Sequence, residues 1–311
     1  MQLYRRFIGP ALLVLVAACS GSNAGFAPAA TSATQQSVHA GYRILDFTYH
    51  VMPLRTSARP AVASARKIIY PDDLTNLGGP IMSSEAAHNI YVNCPARNQS
   101  CWGAPEAFQT KLTGSSFAAL LRQYTKSGPN SLTFADSTAV TYKVYPGTAL
   151  YENDLFAIIH QVASSTRKTG YANLYHVFLT KGTSTCIDFT TSCYSPGNAS
   201  TSGFCAYHGS VKYSDIGTVI YTVEPYQNIR GCLTKKSSGA SQLTNSTIST
   251  LAHETFESVT DPGPRLAWIN FVGGEIGDEC EFFVVSVTLA GTVYNTQPMY
   301  SNKYHGCTAS P

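Results

Sequence analysis

The sequence predicts an α+β protein: a mixed β-sheet with packed helices, stapled by disulfides. Three observations carry that expectation. Residues 173–180 (NLYHVFLT) and 217–223 (GTVIYTV) are apolar, branched and aromatic runs that read as strands, the first central in a sheet. After the second run, Ile248, Leu251, Ala252, Phe256 and Val259 recur at helical spacing. Finally, the chain holds 9 cysteines. Setting aside Cys19 near the N-terminus leaves an even number, which in an exported chain reads as a disulfide framework.

Taken in order, the chain opens with Arg5-Arg6 and an apolar run over 7–18, the pattern of a secretory signal. Val16-Ala17-Ala18-Cys19 resembles a bacterial lipobox, so 1–19 reads as a lipoprotein signal with Cys19 as the lipidated residue; ordinary signal cleavage nearby is the rival reading. Residues 20–40, rich in Ser, Ala, Thr, Gly and Gln, read as a flexible tether. Residues 41–311 then form a single secreted domain, since 44% apolar content is enough for a large core.

Within that domain, 42–51 (YRILDFTYHV) alternates as a strand, 53–66 is a Pro/Ala/Arg linker, and Gly78-Gly79-Pro80 breaks the chain. A short strand over 89–93 runs into the small loop from Cys94 to Cys101. Residues 115–126 and 153–166 have helical apolar spacing, 139–145 reads as a strand, and 282–289 with 291–295 resembles a hairpin. Cysteine spacing suggests Cys94/Cys101, Cys186/Cys193, Cys205/Cys232 and Cys280/Cys307, although spacing alone leaves other connectivities open.

A net charge of +3, with no basic cluster beyond Arg5-Arg6 and Lys235-Lys236, gives no footprint for nucleic acid. No Gly-x-Ser-x-Gly elbow is present, and an even cysteine count leaves no free thiol for catalysis.

The chemistry concentrates in LAHETFESVTDP, residues 251–262. Asn245-Ser246-Thr247 supplies cap residues, and Pro262 with Gly263 stops an amphipathic helix. His253 and Glu257 then share one face at i, i+4. In zincins, His-Glu-x-x-His uses that geometry to hold Zn²⁺, with the Glu beside the first His as general base. Here Glu257 replaces the second His, and a carboxylate also ligates Zn²⁺. Glu254 is the candidate base, and Glu275 or Asp278 the ligand arriving from beyond the helix.

Asp261, at i+8 from His253, would lie roughly 12 Å along the helix and so outside one coordination sphere. Two readings compete with zinc. Glu257, Asp261, Glu275 and Asp278 are a carboxylate set suited to Ca²⁺, and the helix face is alternatively a merely solvated one. His208, in a glycine-rich stretch beside Cys205, reads as a packed loop histidine. His50, His88, His160, His176 and His305 carry no spacing signal.

Further stretches add a resemblance. Phe178-Leu-Thr-Lys-Gly182, Gly203-Phe-Cys-Ala-Tyr-His-Gly209, Glu224-Pro-Tyr226 with Gly231-Cys232, His253-Glu254 through Asp261-Pro262, Gly274-Glu-Ile-Gly-Asp278 with Cys280, and Tyr300-Ser-Asn302 with Gly306-Cys307 resemble the bacterial Exordium-like (phosphate-induced) secreted proteins. The similarity spans roughly residues 170 to 307. It implies a secreted protein of zincin-like fold, with metal binding in chains that keep His253, Glu254 and Glu257.

The resulting expectation is an exported zinc metallohydrolase, peptidase-like, acting on a protein or peptide and anchored to the membrane through Cys19, at the outer membrane or outside the cell. The second hypothesis is a non-catalytic protein that binds a cell-envelope or wall polymer and carries a structural Ca²⁺ or Zn²⁺.

Overall fold

The computed structural model describes residues 38–39, 41–54 and 72–311, apart from 95–98, 127, 129–130, 146–147, 188–191, 235–238 and 282. The signal, Cys19, most of the tether, most of the 53–66 linker and Lys235-Lys236 lie outside the described residues.

The architecture is mixed α+β. Seven strands form the main sheet: β1 (Val38–His39), β2 (Tyr42–Pro53), β3 (Glu85–Val92), β4 (Leu132–Val140), β5 (Asn173–Leu179), β6 (Phe204–Tyr213) and β7 (Gly217–Glu224), in spatial order β1-β2-β6-β7-β5-β3-β4. The strands β7, β5, β3 and β4 are mutually parallel, while β6 runs antiparallel to both of its neighbours. Strand β5 is interior and buried on both faces, as its apolar run requires.

Each face of the sheet has its own core. Tyr175, Val177, Tyr207, Val219 and Tyr221 point to one side, where they meet Phe156 and Ile159 of helix α2 (Glu152–Thr166). On the other side, Leu174, Phe178 and Ile220 pack with Ile248, Leu251 and Phe256 of helix α3 (Gln242–Thr260) and with Phe108 of helix α1 (Pro105–Leu112). A hairpin of β8 (Val285–Leu289) and β9 (Thr292–Thr296) packs beside α3. Four disulfides join Cys94–Cys101, Cys186–Cys193, Cys205–Cys232 and Cys280–Cys307, the pairing that the spacings suggested.

Several local expectations shift. Val38 and His39, assigned to the tether, already pair with β2. The strand expected over 139–145 instead occupies Leu132–Val140, because its alternating Thr, Phe, Asp and Thr suit a sheet edge in register with β3. Residues 115–126 form a short 3-10 turn and a single helical turn rather than one continuous helix. Helix α1, which begins at Pro105, was not foreseen.

The stretch around His208 is not a loop but the middle of β6. Gly209 explains the misreading: glycine weakens a strand pattern, yet a Cβ there would lie 1.9 Å from the Thr48 carbonyl oxygen of β2. Only glycine allows that backbone approach.

Candidate metal centre

Helix α3 begins at Ser241, whose Oγ accepts the Thr244 amide hydrogen at 3.1 Å, so Asn245-Ser246-Thr247 lie inside the helix rather than capping it. It ends at Asp261, followed by Gly263 at φ 68°. The helix is not amphipathic toward solvent: every residue from Asn245 to Thr260 is buried. Its hydroxyls are accommodated by bonding back along the helix. Thr255 Oγ1 donates to the Leu251 carbonyl at 2.6 Å and Thr260 Oγ1 to the Phe256 carbonyl at 3.0 Å. His253, Glu254 and Glu257 have no such local outlet, so the solvated-face reading fails for them: they are at most 1% exposed.

Beneath the helix, strand register lines up a row of polar side chains. His208 is opposite His50 on β2 and Thr222 on β7, Thr222 is opposite His176 on β5, and His176 is opposite Asn89 on β3. The half nearest α3's C-terminus, His50 and His208, meets the acids of the helix and of the loop beyond it. In the other half, His176 Nδ1 lies 2.9 Å from Thr222 Oγ1, which donates to Glu224 Oε1 at 3.0 Å, while His176 Nε2 and Glu224 Oε2 are buried without a hydrogen-bond partner.

Among the described residues three groups of donors result, the atoms within each lying within 4.8 Å of one another. The first is His253, Glu257 and Asp278, with His253 Nε2 3.0 Å from Glu257 Oε2 and 3.7 Å from Asp278 Oδ1. The second is His208, Glu254 and Glu257, with His208 Nδ1 3.0 Å from Glu254 Oε2 and 3.5 Å from Glu257 Oε2. The third is His50, His208 and Glu275, with His50 Nδ1 2.8 Å from Glu275 Oε2 and His208 Nε2 3.6 Å from Glu275 Oε1.

The loop after the helix is shaped around these groups. Glu257 Oε1 accepts the amide hydrogens of Gly277 and Asp278 at 3.1 and 3.0 Å. A Cβ at Gly277 would meet His253 Nδ1 at 2.6 Å and Glu257 Oε1 at 2.7 Å, so glycine is what lets this backbone reach the carboxylate. Gln297, following β9, donates its amide to the Gly277 carbonyl at 2.6 Å and lies 3.0 Å from His253 Nδ1. The disulfide Cys280–Cys307 fixes the C-terminal end of the same loop.

The electrostatics are those of a site short of positive charge. Burial, reinforced by Glu257, pushes Asp278 up to about 7, and burial pushes Glu257 up to about 8. Burial with the neighbouring acids holds Glu254 and Glu275 well above the carboxylate range. Burial drives His50 down to about 4, and burial with the neighbouring imidazoles drives His208 well down. Burial and mutual repulsion hold these four carboxyl groups toward their neutral forms, and a divalent ion is what would let them ionise.

Of the residues singled out from sequence, His253, Glu257 and Asp278 come together, and Glu254 joins through His208. Glu275, considered as an alternative to Asp278, is instead the partner of His50 and His208. Asp261 stands outside all three groups: its Oδ1 accepts the Ala267 amide hydrogen at 3.0 Å and its carbonyl lies 3.3 Å from His208 Nε2. His50, His208 and Gln297 were not foreseen as site residues. No periodicity marks them, because strand pairing brings His50 and His208 together across 158 positions, from 50 to 208.

No family model matches this chain, and no curated protein or solved structure matches it either.

Proposed function

We propose that the protein is an exported, zinc-dependent metallohydrolase, peptidase-like, with His253, Glu257 and Asp278 as the metal ligands and Glu254 as general base. The observation that carries this reading is the first donor group. Two of its members are fully buried on the helix, while the Asp278 side chain is 24% exposed and gives the group a side facing solvent. Catalytic zinc sites have this pattern, three protein donors and one approachable position.

The donor chemistry favours zinc over calcium, since each group includes an imidazole and a calcium site is built from oxygen. When bound, the ion would supply Lewis-acid polarisation of a scissile carbonyl. The chain's own residues would do the rest. His208 Nδ1, 3.0 Å from Glu254 Oε2, fixes that carboxyl, leaving Oε1, buried and without a hydrogen-bond partner, to take a proton. Gly277 and Asp278 amides orient Glu257.

A helix carrying His-Glu-x-x-Glu beneath a mixed sheet, with a further donor from a later segment, also supports the zincin-like reading and the Exordium-like resemblance. The disulfides fit an oxidising compartment, and with Cys19 they support an outer-membrane lipoprotein or extracellular location. The depth of burial favours one alternative, a non-catalytic envelope- or wall-binding protein with a structural ion. Elemental analysis of purified, oxidised protein separates the two. Stoichiometric zinc together with peptide hydrolysis supports the enzyme; failure to gain zinc on dialysis removes it, and calcium binding alone with a raised Tm supports the structural role.

A further inference from the structure

We infer that His50, His208 and Glu275 form a second divalent-cation site beside the first, so that the centre is dinuclear. The inference rests on the metal reading of His253, Glu257 and Asp278 but uses none of those residues.

The donors come from three separate segments, β2, β6 and the loop after α3, and all are buried: His50 is 8%, His208 0% and Glu275 2% exposed. The two rings stack with centroids 4.8 Å apart and planes 15° from parallel, a consequence of their direct cross-strand pairing. Glu275 bridges their edges, with one oxygen 2.8 Å from His50 Nδ1 and the other 3.6 Å from His208 Nε2. That second oxygen, Oε1, makes no hydrogen bond although it is buried. A buried carboxylate oxygen near an imidazole nitrogen and without a hydrogen-bond donor is one that a cation would satisfy.

His208 has a contact at each ring nitrogen. The tautomer the site requires carries its proton on Nδ1, toward Glu254 Oε2 at 3.0 Å, and turns the Nε2 lone pair to Glu275. A metal-bound imidazole commonly hands its other N–H to a carboxylate in this way. The competing tautomer would place the proton on Nε2, toward the Asp261 carbonyl at 3.3 Å, and would bind no ion there.

Two of the donor groups share Glu257 and two share His208, so the ions would be neighbours linked through the second group. Dinuclear sites of this kind clamp both the attacking and the leaving oxygen of a substrate. Two sites that each include imidazole suit zinc or cobalt rather than calcium.

The test is metal stoichiometry of the full, oxidised protein dialysed against Zn²⁺ or Co²⁺. Two ions per chain are expected. His50→Ala and Glu275→Gln should each retain one, as should Asp278→Asn, whereas His50→Ala combined with Asp278→Asn should retain none. With Co²⁺ and no mutation, the electron paramagnetic resonance signal that grows over the first equivalent should lose intensity over the second as the ions couple. One ion per chain, unchanged by His50→Ala and Glu275→Gln and without coupling, overturns the second site and leaves the first standing. No bound ion in the wild type overturns both.

Discussion

His208 Nδ1 lies 3.0 Å from Glu254 Oε2, so a residue from the centre of the sheet holds the acid that follows His253 on the helix. Glu257, whose Oε2 is 3.5 Å from the same nitrogen, lies 3.0 Å from His253 Nε2 and takes two backbone amide hydrogens from the Gly277–Asp278 turn. Two acids three positions apart thereby acquire different tasks.

Glu254→Gln should keep the metal and lose hydrolysis by at least about 100-fold, the usual contribution of a general base. Glu257→Ala should lower metal affinity and, because the ion binds only the folded chain, lower Tm in zinc-containing buffer. Metal content and melting curves of both variants check this; equal retention of metal and stability would remove the helix from the site.

The pH dependence of the metal-free protein has a defined sign. Asp278 and Glu257 are raised to about 7 and about 8 when folded, whereas in the unfolded chain they titrate near the ordinary carboxylate values. Their contribution is present at low pH and is lost as pH rises through the folded values. His50 and His208 are shifted the opposite way and weaken the fold only below about pH 6.5, where the unfolded imidazoles protonate. Between about pH 6.5 and 8 the carboxyl groups therefore act alone, each worth up to about 1.4 kcal/mol per pH unit. Tm in chelator should fall across that window, and added zinc should reverse the trend. A chelated protein that melts higher at pH 8 than at 6.5 contradicts the assignment.

Gly277→Ala is compatible with the backbone, at φ −84°, but brings a methyl group against His253 and Glu257. It should weaken metal binding about tenfold or more while the far-ultraviolet circular dichroism stays that of the wild type. Gly209→Ala, by contrast, collides with the β2 backbone and should cost about 3 kcal/mol or more in denaturant unfolding. If the two variants behave alike, the separate roles of these glycines are wrong.

Removing Cys280–Cys307 by double substitution to alanine releases a crosslink spanning 27 positions, a loss of about 3.5 kcal/mol on loop-closure grounds. The bridge also closes the segment after Glu275 and Asp278, so zinc affinity should fall with stability. Isothermal titration of the double variant reads both effects, and unchanged affinity would show that the loop holds its shape unaided.

Cys19→Ala should abolish lipid attachment and move the protein out of the membrane fraction. Continued membrane fractionation of that variant would remove the lipoprotein proposal.

The sequence by itself determined the elements whose pattern is local. Strand β5 and helix α2 follow from apolar periodicity and helix α3 from the spacing of Ile248 through Val259, while the cysteine spacings suggested the disulfides and left other pairings open. His253 and Glu257 were legible for the same reason, since a helix converts i, i+4 into proximity. What surrounds them was decided by the tertiary structure. The burial of α3 on all sides turned a helix that looked amphipathic into the middle of a polar core. Strand register set His50 beside His208, and the Gly277 turn divided Glu275 from Asp278. Pairing between segments more than a hundred residues apart leaves no period in the chain, because it depends on how the strands align and pack rather than on the spacing of their residues.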